Sequence, residues 1–267
     1  MIVAREPRGL CVVFQIDHQT QCAAAAGQWG NDAFSRIDHW ESLEVAVATH
    51  DAGWAAWEAA PEVDDEGHPV DFPDLDRARH VQLARAGVDT AVRRGPRVGL
   101  LVSMHCEGLY RSRLGLDGPH RALSTLPVPV QAFIAEQAPI QQVARAEIGN
   151  DESEGEGVEA WAWAAYRLIQ AWDSLSLFLT WRGPSAGRDW RLPAVPRRVG
   201  DQGVDLVLRR VDDCTARCRP FPFAGDAAVL PVIARVIPDR AYRSHDDLRA
   251  ALHDAEVQQR EFRVVPG

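Results

Sequence analysis

Six side chains interrupt otherwise apolar, helix-periodic runs with groups that can do chemistry: His18, the adjacent pair His50 and Asp51, His80, His105 and Asp173. Neutral imidazoles and ionised carboxylates are donors for hard and borderline divalent metals, and helices deliver them well when each contributes one or two to a shared core. A single histidine on an apolar face is more often a hydrogen-bonded core residue than a ligand, but that reading weakens for the set as a whole. Asp173 is the most telling case. It lies among Trp172, Leu175 and Leu177, where a lone carboxylate would cost several kcal/mol to bury, so it needs either a metal or an arginine such as Arg111 or Arg167.

Residues within about one turn of these six are candidates for a substrate pocket: Gln15, Trp54, Trp57, Ser103, Glu107 and Tyr110. Arg111 and Arg113 follow His105 closely. The chain contains no lysine, so these two arginines are the nearest source of positive charge for an anionic substrate, against the plainer reading as helix-end cations favoured by the macrodipole. Other pairs read as structural. His245-Asp246 falls in a capping box begun by Ser244, His68 lies in a polar loop, and Cys214 and Cys218 have no second pair to complete a zinc site. Trp161, Trp163 and Trp172 recur at helical spacing and read as core.

The elements that must position the six follow from periodicity and punctuation. Residues 9–16 form a β-branched run that reads as a strand, with Asp17 placed to cap a helix over 18–29. Apolar residues at three- and four-residue spacing predict a helix over 35–49 that carries His50-Asp51 at its C-terminal end, where Gly53 lets the chain leave. Pro- and Asp-rich 60–75 reads as a loop near the mouth of the site, and further helices are predicted over 76–93, 97–110, 129–148 and 157–181. An acidic stretch after residue 148 reads as an exposed, mobile linker. Beyond Trp181, residues 204–211 and 229–237 read as strands of a small appended sheet, and 245–257 as a last helix.

Composition bounds the function. With 267 residues, 46% hydrophobic and 25% charged, the chain can bury a sizeable core and reads as one domain. Its 38 acidic against 29 basic residues repel an extended phosphate backbone, which argues against nucleic acid and leaves a small phosphorylated molecule open. Five cysteines without CxxC spacing fit a reducing cytoplasm, and no apolar run approaches a membrane span.

The order His18, His50-Asp51, Asp173 resembles the HD-domain superfamily of metal-dependent enzymes, and His80 and His105 fall in the interval where its dinuclear members add two histidines. The resemblance implies Asp51 bridging two metals, with His18, His50 and Asp173 on one and His80 and His105 on the other. Many HD enzymes carry a lysine within four residues of the doublet, and this chain has Trp54 near that place. More closely, the runs QIDH, HDAGWAAWE, LLVSMHCEGLY and AWDSLSLF look like an uncharacterised bacterial family with no assigned substrate, over nearly the whole chain. The fold these likenesses imply is mainly α: an HD-domain-like helical bundle, with a metal-binding core over 1–181 and a β-rich extension over 182–267 made of a small C-terminal sheet and a final helix.

The function they imply is hydrolysis of a small phosphorylated substrate. Two divalent transition metals, iron first with manganese or zinc as alternatives, would lower the pKa of a shared water, with Asp51 bridging and Arg111 or Arg113 steadying the anion. The alternatives are a di-iron oxygenase using the same ligands, and a metal-containing sensor or binding protein without turnover.

Overall fold

The computed structural model describes residues 1–111, 122–151, 155–181 and 189–267. Strands β1 (Ile2–Glu6) and β2 (Gly9–Val13) open the chain. Seven helices follow: α1 (Gln15–Gln28), α2 (Trp40–Val47), α3 (Ala55–Glu58), α4 (Arg77–Val92), α5 (Pro96–Arg111), α6 (Val128–Asp151) and α7 (Gly155–Thr180). Then come β3 (Trp190–Val195), β4 (Val204–Arg210), β5 (Thr215–Arg219), β6 (Ala228–Ile237), α8 (His245–Asp254) and β7 (Val257–Pro266).

All seven strands form one mixed sheet in the order β1-β2-β6-β7-β5-β4-β3, a half-barrel in which only β5 and β7 run parallel. This overturns the expectation of a mainly α, HD-like bundle with a small C-terminal sheet. The sheet draws strands from both ends of the chain, with Leu10 of β2 paired to Ile237 of β6. Four strands were missed, the short β1 among them, and the other three carry a weak or contrary signal. In β5 (TARCR), Ala216 and Cys218 point inward and both arginines outward. In β7 (VQQREFRVVP), only Phe262 and Val264 are buried. In β3, Pro193 argues against a strand, yet a register shift between Leu192 and Val195, with Ala194 at a φ of 52°, absorbs it as a bulge.

The two faces of β2 separate two cores, because alternate side chains point opposite ways. Cys11 and Val13 face the main core with Cys22 and Ala25 of α1, Trp172 and Leu175 of α7, and Leu230 of β6. Leu10 and Val12 face a smaller core with Trp54, Trp57, Tyr242, and Leu248 and Leu252 of α8. Helix α1 therefore lies between the sheet and α7, and the turn after α2 approaches it from the other core.

The start of α1 differs from expectation. Asp17 lies inside the first turn, and the helix begins at Gln15 after Phe14, with no local side-chain cap. Glu58 of α3 supplies the cap instead, accepting the Gln15 N–H at 2.5 Å and the Ile16 N–H at 3.3 Å. The same carboxylate meets the buried Met1 amine at 3.1 Å. A cap contributed from another helix fixes the direction of α1, and with it the aim of His18. Helix α2 is also shorter than its periodic pattern, starting at Trp40 after His39 in a left-handed conformation. The acidic linker expected after residue 148 falls partly within α6, which runs to Asp151, and its central residues lie outside the described ones. No helix among the described residues is long and apolar enough to cross a membrane.

Candidate metal centre

Five of the six candidate residues converge at the centre of the helical layer. The doublet is the pivot. Helix α2 ends at Val47, and the chain passes through a turn into a 3-10 helix, Ala52–Trp54, so that two consecutive side chains swing to the same side and His50 Nε2 lies 3.5 Å from Asp51 Oδ2. Gly53 is not a left-handed exit residue, as its position suggested. A Cβ there would stand 1.9 Å from the Leu83 carbonyl oxygen and 2.8 Å from the Gly87 nitrogen, so the glycine allows the doublet turn to press directly on α4.

The His50 ring is oriented by its Nδ1. Nδ1 lies 2.7 Å from the Val47 carbonyl, which can only accept, so Nδ1 carries the hydrogen and Nε2 keeps a bare lone pair. That Nε2 is buried and has no hydrogen-bond partner. His105 on α5 is 2% exposed, packs edge-on to His50 at 4.9 Å between ring centres, and also leaves its Nδ1 buried without a partner. Burial, with the neighbouring His50, drives the His105 pKa down to about 4, so the ring is neutral at physiological pH. Donor atoms of His50, Asp51 and His105 lie within 4.8 Å of one another, as do those of His18, Cys22 and His50.

His18 is held differently. The Gln21 amide donates to the Leu230 carbonyl at 3.0 Å, which turns its oxygen toward Ser176, and the Ser176 hydroxyl donates to it at 2.6 Å. Ser176 Oγ is then an acceptor for His18 Nδ1 at 2.8 Å, which places a hydrogen on Nδ1. His18 Nε2 therefore faces Asp173 Oδ1 at 3.0 Å, and Asp51 Oδ2 at 3.9 Å, with a position that must hold either a second proton or a cation. Burial pulls the His18 pKa down, Cys22 and the Asp173 carboxylate push it up, and the balance lies well above the ordinary imidazole value. Asp173 is pushed up by burial but held at about 2 by the hydrogen bond and charge of His18. Its partner is thus a histidine and not an arginine: Arg167 donates instead to the Asp201 and Gln202 carbonyls.

His80 on α4 stands at the edge of this group. Its Nδ1 is 2.5 Å from the Tyr110 hydroxyl, its ring packs edge-on to Trp54 at 5.4 Å, and burial lowers its pKa to about 4. A cavity of about 220 Å³ opens onto the group. Its lining includes Gln15, His18, Asp51, His80, His105 and Asp173, with Trp54, Phe72, Pro73, Leu109, Tyr110 and Leu177 around them and Arg77 as its arginine.

Of the pocket candidates, Gln15, Trp54 and Tyr110 line this cavity. Trp57 packs behind Trp54 at 5.8 Å, Ser103 donates to Gln137 at 3.0 Å, and Glu107 is engaged by Gln141 at 3.0 Å and by Arg111 at 3.2 Å. Arg111 is not part of the lining, and Arg113 lies outside the described residues. Sequence reasoning missed Gln19, which accepts the Asp51 N–H at 3.1 Å, as well as Gln21, Ser176 and Arg77. Helical spacing held part of the signal, since Ser176 is three residues beyond Asp173 and Arg77 three before His80.

The residues fit a divalent transition metal. The donors are imidazole nitrogens and carboxylate oxygens, two of the nitrogens are buried without partners, and the remaining nitrogens of His18, His50 and His80 are oriented by Ser176, a carbonyl and Tyr110, as supporting partners orient ligating histidines. A family profile described as "Protein of unknown function (DUF3891)" matches residues 1–239. The chain belongs to that family. The DUF3891 match spans β1 through β6 and so contains every residue of the group just described. It carries no assignment to the HD superfamily. No curated protein and no solved structure matches the chain.

Proposed function

We propose that this protein is a metal-dependent enzyme, a hydrolase of a small phosphorylated molecule, in which His18, His50, Asp51, His105 and Asp173 would hold the metal and His80, at the edge of the group, would serve a second ion. The observation that carries the reading is the buried, unpartnered Nε2 of His50 beside the Asp51 carboxylate, with a donor atom of His105 within 4.8 Å of both and a second buried, unpartnered nitrogen, Nδ1, on the His105 ring. Leaving such atoms unsatisfied costs about 1–3 kcal/mol each in a metal-free protein, which coordination would recover. The order of the donors along the chain is similar to that of dinuclear HD enzymes, although the sheet differs from the bundle that likeness implied.

When bound, divalent ions here would supply Lewis acidity and activate a water molecule. The chain supplies the rest. Asp51 is held by the Gln19 amide at its backbone, with its carboxylate between His18 and His50. Trp54, Phe72, Leu109 and Leu177 give the cavity apolar walls, which lower the local polarity and strengthen electrostatic interactions inside it. At about 220 Å³ the cavity falls below the volume typical for drug-sized ligands and suits a small substrate.

The test is elemental analysis of natively purified wild type and Asp51→Asn, with phosphate release from small phosphate esters followed in air and without oxygen. Stoichiometric iron, manganese or zinc in wild type, loss of metal and turnover in the variant, and turnover independent of oxygen are expected. Turnover retained by Asp51→Asn would overturn the reading, and strict dependence on oxygen would replace hydrolysis with oxygenation.

A further inference from the structure

Two polar side chains of the cavity are used neither by the metal set nor by the fold. Gln15 is 4% exposed, yet its Oε1 is buried with no hydrogen-bond partner, although its backbone N–H caps α1 through Glu58. It precedes His18 by three residues and so projects from the same side of α1. Arg77 occupies the matching position on α4, three residues before His80 and on the same face. It has no ion pair among the described residues, whereas its neighbour Arg79 pairs with Glu62 and Arg85 with Glu136. Among the described residues Arg77 is also the arginine that lines the cavity, in a chain without lysine, beside two carboxylates and in a protein of formal charge −9. An anion would be repelled from this cavity if Arg77 were not there.

We infer that Gln15 and Arg77 grip opposite ends of the substrate, a short-chain organic anion that also carries a hydroxyl or amine donor. The anionic group meets the Arg77 guanidinium on the His80 side, where a planar fork of donors suits carboxylate or phosphate oxygens. The donor group meets the Gln15 carboxamide on the His18 side and satisfies an acceptor that otherwise stays buried and unpaired. The apolar walls of Leu109, Leu177 and Phe72 enclose the carbon chain between the two ends. Among the described residues Arg77 thus takes the role that sequence position suggested for Arg111. This rests on the metal-centre reading for the chemistry but not for the binding, and the two can fail separately.

The experiment is calorimetric titration of wild type, Arg77→Gln, Arg77→Lys and Gln15→Met, with metal content measured on the same samples. The probes are glycerol 3-phosphate and glycerate, their deoxy counterparts propyl phosphate and propionate, and uncharged glycerol. Wild type should bind at least one hydroxylated anion and prefer it to both its deoxy counterpart and glycerol. The favoured anion distinguishes a phosphate from a carboxylate substrate. Arg77→Gln should weaken that binding at least tenfold with metal content unchanged, and Arg77→Lys should recover part of it. Gln15→Met should abolish the preference for the hydroxylated probe while leaving the deoxy probe unaffected. Binding to none of the anions, or equal affinity in wild type and Arg77→Gln, would overturn the inference. A wild type that holds no metal would sink the metal-centre reading alone, because the dependence on Arg77 and Gln15 is then read on the metal-free protein, where its presence supports the inference and its absence ends it.

Discussion

The two histidine poles of the centre are built on opposite principles. At the His18–Asp173 pole both His18 nitrogens and the side chains of Gln21 and Ser176 have partners, through a relay from the Leu230 carbonyl. At the His50–His105 pole the nitrogen that fixes the His50 ring is engaged, while His50 Nε2 and His105 Nδ1 are buried and bare. A saturated pole holds its shape without a ligand, whereas a bare one gains most when a ligand arrives. The centre is therefore partnered on one side and under-satisfied on the other, which is how a fold can keep a candidate site pre-shaped while leaving atoms that gain from a ligand.

The largest effect that could break this comparison is at the bare pole. Replacing His50 or His105 by Gln should weaken metal binding by more than about 100-fold, since removing a ligand exceeds the 10–100-fold typical of losing a supporting partner. Competition with a chromophoric chelator measures it, and a change smaller than that from Ser176→Ala would reverse the order of the poles. Ser176→Ala should itself weaken metal binding by about 10–100-fold. It should also cost about 1–3 kcal/mol of folding stability in urea melts, because Gln21 and His18 each lose a buried partner. Gly53→Ala probes the frame that brings the doublet to α4. The backbone contacts around its Cβ have to give way, so about 1–3 kcal/mol of destabilisation is expected in the same melts, with His80 displaced from Asp51.

A smaller effect sharpens the contrast through pH. The His105 pKa is lowered to about 4, so between there and 6.5 the unfolded chain binds more protons, and metal-free stability should fall as pH drops through that window. The His18 pKa is raised, so its contribution is fully present below 6.5 and lost as pH climbs through the folded-state value. Thermal melts of metal-free protein should thus lose the acid-side slope in His105→Asn and the alkaline-side slope in His18→Asn. Identical slopes in both variants would show that the poles do not titrate in opposite directions.

The candidate residues were legible as a group in the sequence because each breaks an apolar face, and Asp173 in particular had to find a partner. What periodicity could not supply was the identity of the partners. Ser176 looks like one of two serines in a core helix, Gln19 and Gln21 look like surface residues of an Ala-rich helix, and only the crossing of α1 with α7 and the doublet turn makes them buried acceptors. The long helices were read within a few residues because each carries an apolar stripe, whereas α2 starts five residues later than its pattern and the four-residue α3 was not read. The sheet was misjudged because β5 and β7 bury two apolar side chains apiece and present arginines and glutamines outward, a pattern that reads as polar coil until the neighbouring strands are known. The likeness to HD enzymes drew on the donors, and donor order is silent about strands at the two ends of the chain.

The pairing of Leu10 with Ile237 also sets a timetable. Every helix that carries a donor is synthesised before β6, yet α1 is seated on β6, and β2, which leads directly into α1, has no inner neighbour until β6 exists. Closing so long a loop is slow, as in other folds dominated by distant contacts. On the ribosome His18 therefore waits for β6 before it is placed, after the helices and turn that carry His50, His80, His105 and Asp173 have been made.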